Sequence, residues 1–396
     1  YISDTAPLLA IYRDEPRYLD RLRPSATYFE KLWTGITPHG HRHFRSAWFS
    51  AMEVETSPPK CRDVEYNTRA VQPMRYLARR DPSPKLVELL HEWSLAWVDA
   101  ALRTDKGKPR GVIPASIRYS DEAINWYQAD MFWSYYEWQH HAGSLILDQL
   151  LYTYLLTGDE KLLQPMHLTL AIVDSANPNE VNHRRATLTE GSAPWAAAQL
   201  RKCRPFWHVV EQWRFLTGET RWEDLICRFG SPYGKYRVSG DDNFIVYGFE
   251  QLLDELRFNM PLKTSAAMYT DRVYVPGWES LKAALTGDGM YANSSPYHWV
   301  TWEQTDEQFT ALVADTGREL MHIHLFSHAV HDQSIVMRVW QLPTGVYELK
   351  IADSNRVIHE PDVRIEQRGQ RVSIELPARR LLRISFQQVV AAPTAQ

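Results

Sequence analysis

The stretch Leu147-Asp148-Gln149-Leu150-Leu151-Tyr152-Thr153-Tyr154-Leu155-Leu156-Thr157-Gly158-Asp159-Glu160-Lys161-Leu162-Leu163 decides the fold. Leu147, Leu150, Leu151, Tyr154 and Leu155 recur with the period of one helix face. Gly158 then suits the left-handed residue that closes a helix. Asp159 and Glu160 stand where a new helix N-terminus favours negative charge. Leu162 and Leu163 restart the apolar face. The segment therefore predicts an αα-hairpin.

The same pattern recurs on either side. Leu9 to Leu19, Tyr76 to Leu86 and Phe215 to Trp222 each run from an apolar helix end through a Gly or Pro and acid turn into another helix start. The anchors Tyr12, Tyr76, Tyr154 and Phe215 are spaced by 64, 78 and 61 residues. That interval holds two helices and one long loop. Repeated αα-hairpins either stack as a solenoid or close into a ring. Long loops rich in aromatic and polar residues favour a ring with one functional rim. His41 to Val54 and Gly230 to Gly248 are Gly-, Ser- and aromatic-rich and read as rim loops or short hairpins.

From about Gln308 the period changes to two. Met321, Ile323 and Leu325 alternate with His322, His324 and Phe326. Ile335, Met337 and Val339 share a face, as do Val372, Ile374 and Leu376, and Leu382, Ile384 and Phe386. Thr344-Gly345 and Arg368-Gly369 supply turns. Short strands at this spacing predict an antiparallel β-sandwich. The expected organisation is an α+β multidomain chain. Residues 1–300 form an α/α toroid, complete or incomplete, 301–390 a β-sandwich, and 391–396 a disordered tail.

Composition bounds the function. The 396 residues carry 44 basic and 48 acidic side chains, a net charge of -4, which excludes a globally basic nucleic-acid binder. No run of apolar residues is long enough to span a membrane. Three cysteines fit neither a disulfide scaffold nor a zinc motif. The chain begins at Tyr1 with no signal peptide and reads as a processed or truncated product. Fifteen Trp and 20 Tyr are a heavy aromatic load. Beyond filling a core, flat rings with a polar edge suit sugar rings in a cleft.

Several constellations carry candidate chemistry. Asn182-His183-Arg184-Arg185 gathers an amide, an imidazole and two guanidiniums that suit a carboxylate partner. The richest polar-aromatic stretch runs from Trp126 and Tyr127 through Asp130, Trp133 and Tyr136 to His140 and His141. It reads as a sugar subsite with a histidine as acid/base or carboxylate neutraliser. Asp63-Val64-Glu65-Tyr66-Asn67-Thr68-Arg69 offers Asn67 and Arg69 to an acidic substrate, or a plain surface salt bridge between Glu65 and Arg69. Asp241 and Asp242 lack an EF-hand pattern. Paired with Asp130 they make the carboxylates of a glycosidase. His322 and His324 share a strand face that could ligate zinc, but no Cys or acid at helpful spacing joins them, and a solvated or toroid-facing strand is the reading. Tyr297-His298-Trp299 places His298 at the domain junction.

The Leu-Thr-Gly-Asp/Glu turns resemble those of α/α-toroid carbohydrate-active enzymes, a group of polysaccharide lyases, glycoside hydrolases and sugar epimerases. The resemblance covers roughly residues 1–290. Toroid lyases of the heparinase and alginate-lyase type carry an Asn-His pair on a toroid helix and a catalytic Tyr some fifty residues later. Asn182-His183 matches the pair, and Tyr236 lies 54 residues beyond Asn182, with Tyr233 beside it. The second Asn often seen before the pair is Val181 here. The resemblance implies β-elimination on a uronate glycan without metal or cofactor. Asn182, His183 and an Arg would neutralise the carboxylate. Tyr236, its pKa lowered by Lys235 or a nearby Arg, would move the proton. A glycoside hydrolase and a non-catalytic glycan binder are the alternatives. A substrate too large to enter a cell implies a periplasmic or secreted protein.

Overall fold

The computed structural model describes residues 16–80, 82–125, 131–134, 138, 140–176, 188–259, 283–288, 297–303, 308–353, 356–359 and 362–391. The fold is α+β, with α-helices and antiparallel sheets. Two compact units divide it, residues 1–209 with 293–295, and 210–292 with 296–396.

In the first unit, α1 (Pro16–Leu22) and α2 (Pro24–Tyr28) lead through a π-helical turn into the hairpin of β1 (Thr34–Ile36) and β2 (Arg42–Phe44). A second antiparallel pair joins β3 (Arg62–Val64) to β4 (Ser116–Arg118). Between these strands run a 3-10 turn (Glu65–Asn67), α3 (Thr68–Arg80) and α4 (Pro84–Leu102). Pro84 opens α4, where its missing N–H costs nothing. Leu86, Leu89, Leu90, Trp93, Trp97 and Ala101 form the buried side of α4. A fully buried side chain of this size contributes about 1.5–3 kcal/mol.

The hairpin predicted around Gly158 is present. Helix α5 (Ser144–Thr157) ends at Gly158, whose φ is +72° and whose N–H bonds to the Tyr154 carbonyl. Asp159 caps the next turn by accepting from the Lys161 N–H, and α6 (Gln164–Ser175) follows. The predicted apolar stripe understates the burial. From Ile146 to Thr153 every residue of α5 is buried, Asp148 and Gln149 included. Asp148 meets Arg75 of α3 at 2.8 Å, both fully buried, and the Arg75 guanidinium lies 4.5 Å over the Tyr152 ring. Ser94 of α4 and Thr153 of α5 share a hydroxyl hydrogen bond of 2.8 Å. The unit continues with α7 (Ala193–Leu200) and α8 (Arg204–Thr217), whose Val209–Val210 bond is the unit boundary.

In the second unit, Gly218 (φ +76°) closes α8 and α9 (Glu223–Phe229) follows, as the repeat predicts. Gly230 to Gly248 does not form a rim loop or hairpin. It holds α10 (Pro232–Ser239) and the start of α11 (Asp242–Asn259). Ser231 caps α10 by accepting from the Gly234 N–H, Pro232 sits at the first position, and Gly240 (φ +69°) closes it. The glycines are helix punctuation rather than loop residues.

The strands then form two antiparallel sheets. β10 (Val357–His359), β9 (Gly345–Ala352), β13 (Leu381–Ala391), β7 (Leu320–Ser327) and β6 (Phe309–Thr316) lie in that order, with β11 (Val363–Ile365) also on β9. β12 (Gln370–Leu376), β8 (Gln333–Val339) and β5 (Val300–Trp302) make the other. The alternating residues predicted to face inward do so. Met321, Ile323, Leu325, Ile335, Met337, Ile374, Leu376, Ile384 and Phe386 belong to one buried apolar cluster drawn from both sheets. Phe215, Tyr233, Tyr236 and Ile245 of the helices form another, packed with Leu312 and Ala314 of β6. The expected disorder of the tail is corrected at Ala391. A bulge after Gln388 lets β13 continue, pairing Val390 with Val346 and Ala391 with Gly345. Residues 392–396 lie outside the described residues.

Candidate active site

The site is built where β3 turns into α3. Asp63, fully buried at the centre of β3, is a hydrogen-bond hub. Its Oδ2 accepts from Trp93 Nε1 (2.7 Å), Trp97 Nε1 (3.2 Å) and the Phe44 N–H (3.3 Å), and lies 3.0 Å from His43 Nδ1. Its Oδ1 accepts from Asn67 Nδ2 at 3.0 Å. A buried carboxylate persists only when so satisfied. This hub ties β2, β3 and α4 together and fixes the 3-10 turn that follows. Part of the tryptophan load is thus structural, its indole N–H groups anchoring a carboxylate.

That fixed turn carries Glu65, Tyr66 and, one turn on, Arg69. The Tyr66 ring is half-buried and meets His141 edge to face, centroids 5.4 Å apart at 89°. The exposed Arg69 guanidinium lies 4.7 Å over the same ring. His140, exposed, follows at 6.4 Å from His141. Two of the predicted constellations, 63–69 and 126–141, therefore meet at Tyr66, Arg69, His140 and His141. Burial first, then the charges of Arg69 and His140, hold the His141 imidazole down to about 4. It is neutral at neutral pH. Its Nδ1 is buried with no hydrogen-bond partner among the described residues. Beneath the site, burial and then the neighbouring Glu65 help push the Cys203 thiol up to about 12, so it is no nucleophile.

The other predicted residues fall differently. Asn67 is buried and spends its amide on Asp63 and the Ser46 carbonyl. Trp133 is buried in a ring cluster with Phe132, at 4.9 Å, and Trp195, at 5.2 Å. Its Nε1 has no partner among the described residues. Tyr233 and Tyr236 are buried in the second unit. The Tyr233 hydroxyl donates to the Val313 carbonyl (2.8 Å) and accepts from Arg237 (3.0 Å). The Tyr236 phenol is shifted opposite to the expected direction. Burial raises it, with Asp242 adding, and Arg237 only partly opposes. His298 Nδ1 lies 3.2 Å from buried Asp288. Asp241 is exposed and caps α11 by accepting from the Asn243 N–H at 3.0 Å. His322 and His324 lie on β7, and burial with Arg383 beside it lowers the His324 imidazole. Trp126, Tyr127, Asp130, Tyr136, Asn182, His183, Arg184 and Arg185 lie outside the described residues.

Sequence reading quoted Glu65 and Tyr66 but gave them no role in chemistry. The signal available was a Tyr set between a carboxylate and an Arg three residues on. It missed a second cluster altogether. His41 Nδ1 lies 2.9 Å from Glu122 Oε2, the Thr37 hydroxyl bonds to Glu122 Oε1, and Asp99 of α4 lies close by. Among the described residues, these three ligand groups can share a cation. The chain matches no protein-family model and no curated protein sequence.

Proposed function

We propose that this chain is a polysaccharide lyase acting on a uronate-containing glycan by β-elimination. One observation carries the reading: a neutral histidine, a tyrosine and an exposed guanidinium converge at His141, Tyr66 and Arg69. Arg69, with His140, pairs with the uronate carboxylate and stabilises the enolate-like charge that develops. Neutral His141 takes the C5 proton. The electron pair left behind forms the C4–C5 double bond and the C4–O bond breaks. The Tyr66 hydroxyl protonates the departing oxygen and recovers its proton from His141.

Asn182 and His183, which the resemblance places on the carboxylate, remain candidates for the same charge. Consecutive helix–turn–helix units at 68–102, 144–175 and 204–229 support reading the N-terminal part as an α/α toroid. Two antiparallel sheets with a common core support a β-sandwich after it. Among the described residues no helix is long and apolar enough to cross a membrane. A polymeric substrate places the protein in the periplasm or outside the cell.

The test is incubation with alginate, pectate, hyaluronan and chondroitin, following ultraviolet absorbance and reducing ends together. New absorbance with new ends is the expected result. Tyr66→Phe and His141→Ala should each lower the rate by about 10²–10⁴. New ends without absorbance indicate hydrolysis and overturn the reading. Binding without cleavage of any substrate leaves a glycan-binding protein.

A further inference from the structure

We propose that His41, Asp99 and Glu122 form a binding site for a divalent transition-metal cation of the Zn²⁺ class. This inference is independent of the lyase reading. The three come from separate elements: the β1–β2 loop, helix α4 and the turn after β4. One ligand atom of each lies within 4.8 Å of the others. A tetrahedral cation with bonds of about 2.0–2.2 Å spaces its ligands roughly 3.4 Å apart. His41 and Glu122 are already at 2.9 Å. The Asp99 side chain is 45% exposed and lies at the solvent side of the cluster.

The surroundings are those of a built site. Glu122 is buried and holds a left-handed backbone conformation, φ +56°, that a residue with a Cβ rarely adopts. Two groups fix it there. The Thr37 hydroxyl bonds to Oε1, and Arg103 donates to the Glu122 carbonyl at 2.7 Å. Groups that orient a ligand in this way tune a metal site. The cation replaces the proton between His41 Nδ1 and Glu122 Oε2 and leaves the Thr37 contact intact. Arg103 Nε lies 3.8 Å from Asp99 and 3.6 Å from Asp105, so one guanidinium faces two carboxylates, while its bond to Glu122 goes to the backbone carbonyl and leaves the Glu122 carboxylate to His41 and Thr37. One nitrogen and two carboxylates suit Zn²⁺ or Mn²⁺ better than Mg²⁺. Three protein ligands leave one position open to water or a substrate oxygen.

The experiment loads the full chain with Zn²⁺, desalts it and measures retained metal. Wild type should keep about one equivalent. His41→Ala and Asp99→Asn should keep at least tenfold less. Asp99→Asn is isosteric, lies on a partly exposed face of α4 and retains all 15 histidines, so it controls for both folding and surface binding. Circular dichroism confirms the helices of each variant. Equal retention by wild type and Asp99→Asn overturns the proposal, as does a wild type that retains none.

Discussion

Replacing Asp148 by Ala leaves the Arg75 guanidinium fully buried without the carboxylate 2.8 Å away. Breaking one side of such a pair costs about 3–5 kcal/mol, because the remaining charge has no water to return to. Urea denaturation should show that loss, and a cost below about 1 kcal/mol would mean the site relaxes to admit solvent. Protonation at His141 supplies a second expectation. The unfolded chain titrates this imidazole near 6.5 and the folded chain near 4. Between those values the unfolded state binds more protons, so this residue makes stability rise with pH across the window and adds nothing further above it. His141→Gln should flatten that part of the stability profile, read by denaturation inside and above the window. If His141 is the base, the lyase rate should also hold as pH falls through 6.5 and drop only on approach to about 4. A rate that halves near 6.5 would give the base role to another group.

At the scale of elements, two glycines separate strain from clash. Gly158 closes α5 at φ +72° with open space where a Cβ would stand, so Gly158→Ala costs only the left-handed conformation, about 1 kcal/mol. At Gly191 (φ +80°) a Cβ would stand 2.2 Å from the Trp133 ring. Gly191→Ala should therefore cost roughly 1–3 kcal/mol more than Gly158→Ala. Thermal melts of the two variants compare them, and equal losses would show that Trp133 gives way freely. The Gly158 turn was readable because every signal in it is local: a periodic face, a stop and a cap. The strands from 309 on were readable for the same reason. Helix α10 was not, since its Ser, Gly and Pro serve as well in a loop, and only the Ser231 and Gly240 cap geometry decides. The candidate site was half legible. Arg69, His140 and His141 stood out by type, whereas the contact of Tyr66 with His141 spans 75 residues. The Asp63 hub and the Glu122 cluster join three or more elements distant in sequence. Nothing in the chain marks Glu122 as holding a positive φ.

For the molecule as a whole, a net charge of -4 and an isoelectric point near 6.5 set its colloidal behaviour. Solubility should pass through a minimum near pH 6.5, where mutual repulsion vanishes, and light scattering across roughly pH 5–8 would show it. A profile without a minimum there would mean that a local patch, not net charge, governs association. The larger sheet guards against association of another kind. The outer edge of β9 is met by two three-residue strands, β10 and β11, pairing with separate stretches of it. The opposite edge strand, β6, is kinked by a bulge between Val313 and Asp315. Neither border offers a long, flat row of amide groups for a neighbouring copy to zip onto. The sheet is thereby protected from growing into fibrils by strand addition, even when the protein is crowded at its isoelectric point.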